Sequence, residues 1–198
     1  MPRWPAILAI LALAPAAPGR AQVVTQMGPE RVREALDWGQ TAADGELEQY
    51  ELWTDRTWLV NFDTPFLRVA QHSRAARSQE QGVAEGDVSP KLAAPELHVY
   101  AHARAQAARG PLPNIDYVMI IRPRSGGPSD TILPTVIQSF VRRVPMDSDF
   151  TGPTRIARSV KAVFPLSALA PGNAVRLTFE GGAVHTVTIA PEALARVR

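Results

Sequence analysis

Of the four histidines in the chain, His98 and His102 stand four residues apart, a spacing that carries chemistry only in one backbone conformation. On a helix, residues four apart share a face and can hold one metal ion. On a strand they lie about 13 Å apart, too far for one ion held at about 2 Å by each nitrogen. The surrounding segment Glu96 to Ala103 alternates strictly, with Leu97, Val99, Ala101 and Ala103 on one face and His98, Tyr100 and His102 on the other. That period of two predicts a half-buried strand and turns the histidines into solvent-facing polar residues. The Glu of a zinc-protease HExxH helix is also missing. His185 and His72 are expected at a hairpin rim and on an outward helix face.

Three further groupings deserve a chemical reading. Asp147, Ser148, Asp149, Thr151 and Gly152 resemble the opening of a calcium loop, with oxygens at alternate positions and glycine at the sixth. The twelfth position is Arg158, a positive charge where the bidentate carboxylate should be, so an acidic turn is favoured over a weak site at Asp147 and Asp149. Trp53 and Trp58, with Tyr50 and Tyr100, could form an aromatic platform for a sugar or a partner protein, although packing is the commoner use of such rings. For nucleophilic catalysis or cofactor binding there is no G-x-S-x-G, S-x-x-K, P-loop or G-x-G-x-x-G sequence, and the chain has no cysteine. Thiol catalysis and thiolate metal sites are therefore excluded, and no cofactor is expected.

The elements that must position these residues follow from local signals. Pro29 opens a helix through about Trp38, with Gly39 after its end. Gln49 to Phe62 predicts a hairpin around Asp55-Arg56, pairing Trp53 with Trp58 and Leu52 with Leu59. Asp63-Thr64-Pro65 predicts the start of a helix running through Phe66 to Gln79, capped by Thr64 or Asp63. After a loop with Gly82 and Gly86 comes the Glu96 to Ala103 strand. Ile115 to Arg122 is apolar on both faces and predicts a central strand. Arg124 to Asp130 is expected as a turn-rich connection. A long strand is expected over Thr131 to Val144, with Pro134 forcing an edge position or a bulge. Arg158 to Phe164 and the hairpin Val175 to Ile189 complete the pattern. In that hairpin, a Gly181-Gly182-Ala183 loop pairs Val175 with Ile189, Leu177 with Val187 and Phe179 with His185. A short helix is expected from Pro191.

This pattern predicts a mainly β protein: an antiparallel β-sandwich, immunoglobulin-like in general architecture, with two or three short helices in the N-terminal half and at the C-terminus. An α+β two-layer sandwich is the alternative. Residues 1–21 read as a signal peptide. Arg3 precedes the uncharged run Ala6 to Ala14, which is too short to span a bilayer, and Gly19 and Ala21 favour cleavage after Ala21, with Ala16 second. Residues 22–198 are expected as one globular domain, helix-containing over 22–110 and all-β over 111–190. With 45% apolar and 20% charged residues in 198, a core can form.

Loss of Arg3 and Arg20 with the leader leaves equal numbers of basic and acidic side chains, which argues against nucleic acid as a partner and against a membrane surface. No membrane span is expected once the signal is removed. Two functions fit. The first is an exported, periplasmic or secreted, non-enzymatic binding or accessory module of the cell envelope, with an envelope protein or a glycan as partner. The second is an exported hydrolase or metal-dependent enzyme using His98, His102 and a nearby carboxylate such as Asp116.

Overall fold

Alternate burial along β-strands organises the molecule. The computed structural model describes residues 27–43, 45–47, 50–53, 58–103, 112–145 and 154–194, with backbone alone for Tyr50–Trp53, Arg142, Val144, Pro145, Thr154 and Arg155. The leader, the Asp55-Arg56 turn and the Asp147–Asp149 segment lie outside them. In chain order the elements are α1 (Pro29–Thr41), β1 (Tyr50–Trp53), β2 (Trp58–Asp63), α2 (Pro65–Arg77), α3 (Pro90–Ala93), β3 (Glu96–Ala103), β4 (Ile115–Arg124), β5 (Gly127–Ile132), β6 (Val136–Pro145), β7 (Thr154–Pro165), β8 (Ala174–Phe179), β9 (Val184–Thr188) and α4 (Pro191–Leu194).

The strands form two antiparallel sheets, β1-β2-β3-β7-β6 and β5-β4-β8-β9. Between them lies a single apolar cluster. Val60, Phe62, Leu97, Val99, Val160 and Phe164 enter it from the first sheet, and Val118, Ile120, Val175, Leu177 and Phe179 from the second. Lettered from β2, with β5 as C′, the sheets read A-B-E-D and C′-C-F-G, the strand order of an immunoglobulin-like sandwich. The protein is thus a mainly β antiparallel sandwich with α2 and α3 inserted between β2 and β3. Strands from both sides of residue 110 build the first sheet, so the helical and all-β stretches of the sequence interlock. No helix among the described residues is long and apolar enough to cross a membrane.

Four local expectations are corrected. The segment Thr131–Val144 is not one strand: at Leu133–Thr135 the chain leaves β5 in the second sheet and enters β6 in the first. Pro134 cannot donate to a ladder, and the next residue is captured by β7, with Thr135 N–H donating to Val163 O at 2.8 Å. The supposed connection Arg124–Asp130 already contains most of β5, after a turn at Ser125-Gly126. Helix α1 does not stop before Gly39 but runs to Thr41, because Gly39 is where α1 meets α2: a Cβ there would lie 2.2 Å from Ala70 O.

The fourth correction concerns hairpin register. Trp53 aligns with Leu59 and Leu52 with Val60, one residue away from the Trp53–Trp58 pairing. In the last hairpin Leu177 aligns with His185 and Val175 with Val187, two residues away from expectation. Its loop is Glu180-Gly181-Gly182, both glycines having φ above +80°, closed by Phe179 N–H to Ala183 O at 2.9 Å. A shift of two leaves every side chain on its expected face, so Leu177, Phe179 and Val187 are buried as the pattern requires.

Candidate functional site

Cross-strand rows on the outer face of the first sheet decide what the predicted residues can do. One row runs from Asp63 on β2 through His98 on β3 and Val163 on β7 to Val136 on β6. The next runs through Asn61, Tyr100, Lys161 and Gln138. Both rows begin buried and polar at β2 and end exposed at β6.

At the buried end, Asp63 is 4% exposed and His98 7%. Their contact follows from register: they are direct partners across β2 and β3, and Glu96 is the next residue on the same face of β3. His98 Nδ1 lies 3.7 Å from Asp63 Oδ2, beyond hydrogen-bond reach, and His98 Nε2 lies 3.3 Å from Glu96 Oε2. Asp63 Oδ1 and His98 Nδ1 have no hydrogen-bond partner among the described residues.

Arg68 closes this cluster from α2. Thr64 caps the helix by accepting from Leu67 N–H, with Pro65 in its first turn, so Arg68 falls one turn in and reaches back over the end of β2. Its guanidinium donates to four carbonyl oxygens, Asp63 (3.2 Å), Leu92 (3.2 Å), Ala94 (2.8 Å) and Glu96 (3.1 Å). Burial pushes the Arg68 guanidinium below its ordinary value, opposed by Asp63, Glu96 and Tyr100. Burial likewise pushes the Tyr100 phenol up, helped by Asp63 and opposed by Arg68. The Tyr100 ring stands 6.5 Å from that of His98, and Lys161 Nζ lies 5.6 Å from its centre. Chemically this is an electrostatic tie that joins α2 to β2 and β3. Two surface grooves, one lined by Thr41, Arg74 and Arg77 and the other by Leu47 and Gln71, share no residue with it.

The sequence-derived candidates separate in space. Trp58 is 2% exposed and packs on Phe179 across the sandwich, ring centres 4.9 Å apart, so it offers no face to a sugar. Trp53 is on β1 and Tyr100 on β3, the latter half-buried, with β2 between them. His98 and His102 do share the outer face of β3 as strand residues, but His98 is buried there beside Asp63 and not solvent-facing as expected, and no group of three or more potential metal ligands gathers among the described residues. Asp116 is exposed on β4, in the other sheet; the carboxylates beside His98 are Asp63 and Glu96. Asp147 and Asp149 lie outside the described residues. Asp63 was visible in the sequence only as a possible helix cap, and Arg68 only as one arginine in a helix rich in them.

At the exposed end a different surface emerges. Val136, Ile137, Phe140 and Val141 on β6 are 40–65% exposed, and Ile156 on β7 is 72% exposed. Among the described residues β6 pairs with β7 alone, leaving its other edge open. A mainly β sandwich of immunoglobulin-like strand order, with an apolar edge unpaired among the described residues, is the class that fold and site define. No family model, curated protein or solved structure matches the chain.

Proposed function

We propose that the protein is an exported, non-enzymatic β-sandwich that works by binding, as an accessory module of the cell envelope. The leader at residues 1–21 supports export to the periplasm or the medium. The observation that carries the binding reading is the run of exposed apolar side chains on the β6 edge, since water-facing apolar groups clustered in one place mark interaction surfaces. The burial of Trp58 favours a protein partner over a glycan.

The test is cross-linking capture by the mature chain in the envelope fraction of its source. A partner captured by the native chain and lost with Val141→Lys, which retains native unfolding behaviour, is the expected result. The enzyme alternative draws on the His98 contacts with Asp63 and Glu96. Hydrolysis of envelope glycans or peptides by the pure chain, abolished by His98→Ala, would replace the binding reading with that one.

A further inference from the structure

Among the described residues four strands end the two sheets, and they are not alike. β9 has five residues and β5 six, the latter beginning with Gly127 and Pro128. Shortness and proline are the usual means by which an edge avoids pairing with another chain. β6 has ten residues, with its proline at the last position. In an antiparallel edge strand alternate residues turn their N–H and C=O groups outward, so β6 offers a main-chain template among the described residues. Its apolar residues flank that template on both faces: Val136 and Phe140 share one with Lys161, Ile137 and Val141 the other.

Charge selects the occupant. By sequence β6 and β7 together hold five cations, Arg142, Arg143, Arg155, Arg158 and Lys161, and no carboxylate, and the side chains described among them are Arg143, Arg158 and Lys161. The connecting residues add Asp147 and Asp149, and the excess stays positive. The rest of the chain after the leader is correspondingly acidic, so the excess is local. A second copy placed edge to edge would bring two cationic ribbons together, which disfavours self-pairing.

We infer that β6 is a strand-addition site for an extended acidic segment of a partner protein that carries both carboxylate and apolar side chains. Main-chain hydrogen bonds would hold such a segment, the exposed valines and Phe140 would receive its apolar side chains, and the ribbon's arginines would select its charge. The inference rests on the binding reading above and adds to it the chemistry of the partner.

The experiment is fluorescence anisotropy of the chain with a labelled peptide of alternating glutamate and valine. Comparison peptides replace glutamate by lysine or N-methylate alternate amides. Saturable binding of the glutamate peptide is expected, weaker by about tenfold or more for the lysine peptide and lost on N-methylation, with amide exchange slowed over residues 136–141. Arg143→Glu with Arg158→Glu should reverse the charge preference; Val141→Glu, at a residue 65% exposed, serves if the double variant does not fold. Equal binding of both peptides would overturn the acidic-strand inference and leave the binding reading standing. Binding to anionic vesicles without peptide binding would make the occupant a membrane, and a dimer broken by Val141→Glu would make it a second copy; either overturns the inference. No binding at all also overturns it, and envelope capture then decides separately whether the binding reading survives.

Discussion

Arg68 shows how much one side chain can join when its donors outnumber those of any alternative. The guanidinium presents five N–H groups in a fixed fork, and here they reach carbonyls from the end of β2, the end of α3 and the start of β3. Arg68→Met keeps the apolar stem and removes every donor, so it should cost about 3 kcal/mol in urea unfolding. Arg68→Lys should recover only part of that, because an ammonium cannot span four acceptors. Tyr100, on the same face, gives a pH signature. Its folded value is raised above the unfolded one, so the folded chain holds the phenolic proton longer. That contribution is whole below about pH 10 and is lost as pH rises through the folded value. Native protein should therefore lose more stability than Tyr100→Phe does as pH rises above about 10, measured by denaturant unfolding at each pH.

At the level of elements, the contact of α1 with α2 depends on a missing side chain. Gln40 Nε2 donates to Ser73 O and Oγ, and Ser73 Oγ donates to Leu36 O, so the helices are close enough to bond side chain to backbone. Alanine at Gly39 would gain about 1 kcal/mol of helix propensity but would press its Cβ on a carbonyl that cannot retreat. The clash wins, and Gly39→Ala should destabilise by about 2 kcal/mol, seen as a lower thermal midpoint. The hairpins make a complementary point. Hydrophobic alternation distinguishes registers that differ by one residue and is blind to those that differ by two, since side chains repeat every second position. The β8–β9 ribbon therefore has its expected faces in an unexpected register, chosen by two glycines at positive φ. In β1–β2 the Asp-Arg turn lacked such a signal, and the burial of Trp58, Val60 and Phe62 accompanies a different pairing from the one that matched the tryptophans.

For the whole molecule, stability resides between the sheets, and the proposed binding surface is the ribbon outside them. Phe179, 1% exposed and packed at a tilt against Trp58, should cost about 4 kcal/mol when cut to alanine. Ile156→Ser, at a site 72% exposed, should change stability by no more than about 0.5 kcal/mol; equilibrium unfolding of both variants checks the contrast. Much of this organisation was legible beforehand. The β3 strand at Glu96–Ala103, the Thr64-capped helix and the mainly β sandwich all follow from period, capping residues and proline placement, which act within a few residues of one another. The switch of sheets at Pro134, the approach of Gly39 to Ala70, the meeting of Asp63 with His98 and the open β6 edge do not. Each joins or separates residues distant in the chain, and only the packed sheets decide which of them meet. Local sequence determined which faces of this protein avoid water; tertiary structure alone decided which strand, among the described residues, was left without a neighbour, because an edge is defined by what fails to pair with it.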